Sequence, residues 1–294
     1  MPDFIIVGAA KSGTTTLYSY LRSNPNIYLP EFKEPHYFAN NHRLNFEVVN
    51  NKNDYCELFR DQNATAIGEA STAYLYFSDI PERIYSEIPN CKIIILLRHP
   101  TERALSMWGH QVREGLENSS FDEAIEEEIS GKLRKLNGVE YGFNYCRQGL
   151  VADNIEKYQS TFGKTNVFIG DYCLLRDEPS KLVHEICHFL GVKAHEIDTE
   201  PRKLNASGNP QSEWLHRFLN SKHPVRKAIV WPLKLLLSAN VRHKLWSGFR
   251  NWNILRGHRH QMSPLTKAKL NKYFEMELKR INTLMMKNET SPTT

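Results

Sequence analysis

The chain has 294 residues, 40% of them hydrophobic, which is enough for one sizeable core, and it carries a formal net charge of +5. So mild and dispersed a positive balance argues against a nucleic-acid-binding protein and calls for no more than a small anionic ligand. Five cysteines (Cys56, Cys91, Cys146, Cys173 and Cys187) are odd in number and far apart, with neither C-x-x-C nor His-paired spacing. They predict reduced, mostly buried thiols and no metal site.

Met1-Pro2-Asp3 runs directly into an apolar segment, with no charged n-region or cleavage site, so the expectation is a cytoplasmic protein. The first predicted strand, Asp3 to Val7, stops at Gly8 and gives way to a small-residue loop and a helical pattern at Leu17, Tyr18, Tyr20 and Leu21. That layout is a phosphate-binding loop. Gly8-Ala9-Ala10-Lys11-Ser12-Gly13-Thr14-Thr15 fits both glycines and the final hydroxyl of G-x-x-x-x-G-K-[ST], but Lys11 precedes the second glycine and Thr14 stands where a triphosphate enzyme needs its lysine. The backbone amides around Gly13, the hydroxyls of Ser12, Thr14, Thr15 and Thr16, and the helix N-terminus still offer an anion site. Taken alone, the segment also reads as a tight strand-to-helix turn.

Further along, Lys33-Glu34-Pro35-His36 forms a loop after Leu29-Pro30. Read by itself, Glu34 is a solvated loop carboxylate. Strands are predicted at Thr65 to Gly68, Lys92 to Leu97 and Asn166 to Gly170, with helices at Pro81 to Ile88, Ala104 to Arg113, Phe121 to Leu136 and Asn154 to Phe162. This alternation predicts an α/β fold, a parallel sheet of the P-loop type flanked by helices, with its ligand beyond the carboxyl ends of the strands. The strand Lys92 to Leu97 is followed by Arg98, where a triphosphate enzyme places a magnesium-binding carboxylate. Ser106, two helical turns on, leans toward the same side, and arginine with a hydroxyl makes a second phosphate grip.

After Asn205 the strands vanish and helices rich in Trp, Leu, Lys and Arg follow, so the chain reads as one domain over 1–294: an α/β core at 1–204, a helical part at 205–287 and a tail at 288–294. The apolar stretch Ala228 to Leu237 is too short to span a membrane and contains Lys234 and Pro232. It predicts a packed helix, or else a surface-lying segment with weak membrane association.

Two phosphate grips without a metal carboxylate suit a nucleotide phosphorylated at both ends of its ribose. At this point the chain resembles the sulfotransferases that use 3′-phosphoadenosine-5′-phosphosulfate. Their 5′-phosphate loop resembles Lys11 to Leu17, and their 3′-phosphate motif resembles Leu97 to Ser106. Lys33 to Phe38, Gly68 to Ser71, Phe121 to Ala124, and Gly149-Leu150 through Phe189 to Val192 fall in the family's order. The branch most resembled is the heparan-sulfate-modifying one with its bacterial relatives. That resemblance implies Glu34 as the base that takes the acceptor's proton, and a loop containing Arg202 and Lys203 closing over the nucleotide's 3′ side. One departure stands out: Ala70 occupies the position where those carbohydrate enzymes carry a lysine.

The resemblance implies transfer of a sulfuryl group to a hydroxyl or amine of a carbohydrate or specialised small metabolite, with adenosine 3′,5′-bisphosphate as product and no metal. Such a transfer needs in-line geometry, a base, and a cation at the departing phosphate oxygen. Lys11 is placed for the last role, and His36 and His110 are further candidate bases. Acceptor choice is expected in three segments, 39–53, 71–79 and 138–148, where Tyr74, Tyr76, Phe77, Tyr141, Phe143 and Tyr145 either stack on a ring or pack inside. The sequence leaves three matters open: a homodimer, a phosphoryl-transfer kinase with an altered loop, and a non-catalytic nucleotide-binding protein.

Overall fold

The computed structural model describes residues 1–60, 63–195, 208–210, 254–256 and 260–289. The chain begins with β1 (Phe4–Gly8), α1 (Thr14–Arg22), β2 (Ile27–Tyr28), α2 (Lys52–Glu57), β3 (Ala66–Ala70), α3 (Ile80–Glu87), β4 (Lys92–Leu97) and α4 (Pro100–Arg113). It continues with α5 (Phe121–Ile129), α6 (Ala152–Phe162), β5 (Val167–Asp171), α7 (Tyr172–Asp177) and α8 (Pro179–Leu190). Two short strands, β6 (Gly208–Pro210) and β7 (Ile254–Arg256), and two helices, α9 (Pro264–Tyr273) and α10 (Glu275–Glu289), follow.

Five strands form one sheet in the order β2-β3-β1-β4-β5, and every pairing is parallel. The strands are unbroken apolar runs because both faces are covered. Ile5, Val7, Ile93 and Ile95 face one layer with Tyr55, Tyr74, Ile84 and Tyr158, while Phe4, Ile6, Ile94 and Leu96 face the other with Leu17, Leu21, Leu182 and Ile186. The period of two along each strand sorts these side chains to opposite faces. Gly68 is required for close approach rather than for a turn: a Cβ there would lie 2.3 Å from the Phe4 ring. A third cluster joins α4, α5 and α9 through Met107, Phe121, Ile125, Leu270 and Phe274.

The four predicted strands are present, Lys92 to Leu97 with its bounds unchanged and the other three displaced by a residue or two, and β2 is an addition too short for periodicity to reveal. The third predicted helix stops at Ile129 rather than Leu136, because Ser130 closes it and Gly131 takes φ 92°. α4 starts at Pro100, whose fixed φ suits a first helical position. The expectation that strands vanish after Asn205 meets the antiparallel pair of β6 and β7, with Gly208 opposite Arg256 and Pro210 opposite Ile254. Arg202, Lys203, the stretch from 228 to 237 and residues 290–294 lie outside the described residues. The five cysteines are free thiols; Cys91, Cys146 and Cys187 are buried and Cys173 is exposed. Among the described residues, no helix is long and apolar enough to cross a membrane.

Candidate active site

Register brings the ends of β3, β1 and β4 to one edge: Ile6 lies opposite Ala70 on one side and Ile94 on the other. β1 is where the strand order turns, since β2 and β3 lie on one side of it and β4 and β5 on the other, the position at which open α/β sheets hold their ligands. A cleft of about 1510 Å³ opens there.

One wall is the β1–α1 loop. Lys11, Gly13, Thr14, Thr15 and Thr16 line the cleft, and Gly13 takes φ 87° as the residue before α1. A Cβ at Gly13 would lie 2.8 Å from Leu175, so glycine is required on both counts. Among the described residues no side chain caps α1, which leaves its N-terminal amides for a ligand. Ser12 lies behind the loop, fully buried, and its Oγ has no hydrogen-bond partner among the described residues. Burial, together with the charges of Arg113 and Arg98 and against the pull of Glu34, lowers the Lys11 ammonium to about 8. An uncapped helix N-terminus and an ammonium lowered by burial are both relieved by an anion, so the loop fits a phosphate.

The opposite wall begins where β4 ends. The Arg98 guanidinium lies over the Tyr172 ring at 4.6 Å, donates to the Lys11 carbonyl at 3.4 Å and pairs with Glu102 at 3.1 Å. Ser106 opens on the same cleft from the second turn of α4. Thr101 binds Asn271 at 3.1 Å and so joins the start of α4 to α9. Asn271, Lys267 and His260 extend this wall, as does Arg176 of α7. Sequence reasoning missed Tyr172, Arg176, His260 and Lys267, which no motif marks. Tyr172 had one usable signal, its place two residues past the end of the predicted strand Asn166 to Gly170.

The third side carries Glu34. Its side chain is about one-third exposed and meets Lys33 and His36 Nε2, the latter at 3.2 Å. A carboxylate only accepts, so Nε2 carries the proton, and among the described residues Nδ1 is buried without a partner. Burial pushes the Glu34 carboxyl up, but the hydrogen bond from His36 and the charge of Lys33 outweigh it and hold the group at about 2. His36 is 1% exposed and sits behind Glu34 rather than in the cleft. His110 does line the cleft, and its Nδ1 accepts from Arg113 at 2.7 Å.

Of the residues singled out in the sequence, Lys11, Gly13, Thr14, Thr15, Thr16, Glu34, Arg98, Ser106 and His110 share one cleft. Each predicted acceptor segment contributes to it: Asn45 and Phe46 from the first, Thr72 from the second, Tyr141 and Gly142 from the third. Phe46, a residue sequence reasoning passed over, lies against His36 with ring centroids 4.6 Å apart and planes tilted by 37°, and keeps 38% of its surface open. Tyr74, Phe143 and Tyr145 are interior packing.

Comparison with known proteins agrees with this geometry. The family described as Sulfotransferase domain matches residues 1–282. The human bifunctional heparan sulfate N-deacetylase/N-sulfotransferase 3 is 30% identical over 203 residues, 66% of this chain but 23% of the relative, so the chain spans about a quarter of that protein's length. A sulfotransferase crystal structure from Alicyclobacillus acidocaldarius superposes with a TM-score of 0.71 at 26% identity, covering 97% of this chain and 96% of the other. The structure of mouse sulfotransferase SULT7A1 complexed with PAP shares the fold at 16% identity, with a TM-score of 0.51 over 98% of this chain and 87% of the other.

Proposed function

Because the chain belongs to the Sulfotransferase domain family, we propose that it transfers the sulfuryl group of 3′-phosphoadenosine-5′-phosphosulfate to a hydroxyl or amine of a carbohydrate or specialised small metabolite. The observation that carries this reading is Arg98, directly after β4, lining the same cleft as the β1–α1 loop and donating to its Lys11 carbonyl. Two anion grips in one cleft suit a nucleotide with phosphate on both 3′ and 5′ sides, and a cation at the strand end suits phosphate rather than a metal carboxylate. Adenosine 3′,5′-bisphosphate as the product bound by a mouse relative of the same fold points the same way.

In this reading the nucleotide supplies the sulfuryl group and leaves as the bisphosphate. The uncapped N-terminus of α1 and the threonine hydroxyls hold the 5′ side, and Arg98 and Ser106 hold the 3′ side. Arg98 exchanges Glu102 for phosphate while keeping Tyr172 as its platform. Approach of the phosphate raises the Lys11 ammonium from about 8, so the side chain is fully charged when it meets the departing oxygen. Glu34, ionised throughout the neutral range, accepts the acceptor's proton as that oxygen bonds to sulfur; the hydroxyl becomes acidic only at that stage, so a weak base suffices. His36 holds Oε2 and Lys33 holds Oε1, and each oxygen keeps a further lone pair for the acceptor's proton. Arg202 and Lys203 remain candidates for covering the 3′ side.

Calorimetry tests the reading. Adenosine 3′,5′-bisphosphate should bind more tightly than adenosine 5′-phosphate by about 2 kcal/mol, roughly 30-fold. Equal affinity refutes it. Turnover that survives a chelator is expected, and activity restored only by magnesium would favour a kinase instead.

A further inference from the structure

Glu69 has no part in the transfer as described, yet it is the most deeply buried carboxyl next to the base. It lies at the end of β3 with no exposed surface. Oε2 accepts the Ser71 hydroxyl proton at 2.6 Å and Oε1 accepts that of Tyr55 at 2.9 Å. The chain of contacts then continues outward. Ser71 Oγ accepts the backbone N–H of His36 at 3.0 Å, the Tyr74 hydroxyl accepts that of Phe38 at 3.1 Å, and the Ala70 carbonyl accepts that of Glu34 at 3.0 Å.

Direction matters in this relay. A serine hydroxyl has one proton; once Glu69 takes it, only lone pairs face the loop, and the His36 amide meets an acceptor. The loop needs such anchoring, because Glu34 at φ 67° and His36 at φ 51° both adopt the left-handed conformation that L-residues with a side chain disfavour. Pro35 between them supplies no N–H to help. An apolar residue at position 69 would spare the cost of burying a carboxyl, but it would leave the Ser71 hydroxyl free to turn its proton toward the His36 amide.

We propose that Glu69 is a positioning residue: through the Ser71 hydroxyl it fixes the backbone of residues 34–38 and so aims the Glu34 carboxylate at the cleft, against His36 and Lys33. The inference rests on the proposed function only in taking Glu34 as the base. The groups facing Glu69 are Tyr18 from α1, Tyr55 from α2, Ser71 and Tyr74 after β3, Cys91 before β4, Tyr158 from α6 and Glu34 itself. None of them substitutes for the relay, since each is either an acid or a hydroxyl or thiol already committed within the core.

The experiment is a carboxyl 13C NMR titration of glutamate-labelled protein from pH 4 to pH 8, with the Glu34 signal assigned by its loss in Glu34→Gln. In the wild type Glu34 should stay flat and ionised across the window. In Ser71→Ala and in Glu69→Met, which offers the Ser71 hydroxyl no acceptor, the Glu34 midpoint should move up from about 2 into the window, a shift of at least about two pH units. The double variant should shift no further than the larger single one, as expected of two links in one chain. Ser71→Thr keeps the hydroxyl and should restore the flat profile. A flat Glu34 signal in folded Ser71→Ala or Glu69→Met, with only the melting temperature lowered, overturns the proposal, as does a Ser71→Thr protein that behaves like Ser71→Ala. Calorimetry with adenosine 3′,5′-bisphosphate on the same samples should give affinities within threefold of wild type. A wild-type protein that fails to bind this nucleotide, while its variants still shift Glu34 as described, would count against the proposed function and leave the relay standing.

Discussion

The two halves of the cleft are built differently. The nucleotide half hangs on rigid structure: the loop leaving β1, the N-terminus of α1, and Arg98 at the end of β4. The acceptor half is assembled from loops, with Glu34, Asn45 and Phe46 before α2, Thr72 after β3, and Tyr141 and Gly142 between α5 and α6. Strand ends keep their geometry because the sheet's hydrogen bonds and two packed layers fix them, whereas loops owe theirs to side-chain contacts. A binding half can therefore be shared among proteins that differ in what they modify, while the loop half varies. Substitutions should separate the halves cleanly: those on the strand-end side change nucleotide binding, and those on the loop side change turnover or acceptor binding.

The largest separation is expected at Glu34. Glu34→Gln keeps shape but cannot take a proton, so kcat on the true acceptor should fall about 10²–10⁴-fold while affinity for adenosine 3′,5′-bisphosphate stays within a few-fold. His36→Asn and His110→Asn should be milder, since His36 only steadies Glu34 and His110 already accepts from Arg113. Near-full turnover in Glu34→Gln beside a collapsed histidine variant would transfer the base's role and break the assignment of catalysis to the loop carrying Glu34.

A second test uses pH. Burial raises Glu69 to about 7, against hydrogen bonds from Ser71 and Tyr55 that lower it, so the folded protein holds a proton that the unfolded chain releases above about 4.5. Stability should consequently fall as pH rises from about 5 to 7, by as much as about 3 kcal/mol, and Glu69→Gln should flatten that slope. Glu34 has the opposite sign and another window: its lowered pKa contributes above about 4.5 and is lost only as pH drops toward 2. Urea titrations at pH 5, 6, 7 and 8 measure the slope. An equal slope in Glu69→Gln would show that the buried carboxyl is not its source.

The division between strand ends and loops also decides how much of the site is legible in the amino-acid sequence. Phe4 to Val7 and Lys92 to Leu97 announce buried strands by composition alone, and Gly8 to Thr15 and Arg98 announce the anion sites because charge and glycine sit at strand ends. Spacing in the chain is enough where the sheet supplies the third dimension. It fails for Tyr172, which meets Arg98 across 74 positions, and for His260 and Lys267, which arrive from beyond α8. It fails again for Glu69, whose side chain reads as a strand-end acid and proves to be buried under three hydroxyl-bearing residues. Such partners are fixed by packing between distant segments, and one chain carries no local record of that.

On the nucleotide side, Arg98→Ala should leave the fold intact, because the guanidinium lies at the cleft and not in the sheet's interior. It should erase most of the preference for the 3′-phosphorylated ligand, about 2 kcal/mol, with adenosine 5′-phosphate binding nearly unchanged. Arg98→Lys should recover only part, since an ammonium cannot both lie flat on Tyr172 and present two donors. Weakening of both ligands by the same factor would mean that Arg98 shapes the cleft as a whole rather than gripping one phosphate.

The smallest expected effect lies at Phe46, and it bears most directly on the loop half. Phe46 lies tilted against His36 at 4.6 Å and stands edge-to-face with Tyr141 at 6.0 Å, yet more than a third of its surface remains open. An aromatic face left open beside a buried imidazole is suited to the flat or apolar side of an acceptor whose hydroxyl reaches Glu34. Truncating it removes that contact without disturbing the strands, so Phe46→Ala should raise KM for the acceptor by roughly five- to tenfold, about 1 kcal/mol. Nucleotide affinity should not change, and kcat should stay within about twofold, because uniform binding lost from ground state and transition state alike appears in KM. Phe46→Tyr should restore the wild-type value. If kcat fell instead while KM held, the ring's service would be to His36 behind it, and Phe46 would belong with Ser71 and Glu69 among the residues that hold the base rather than among those that hold the acceptor.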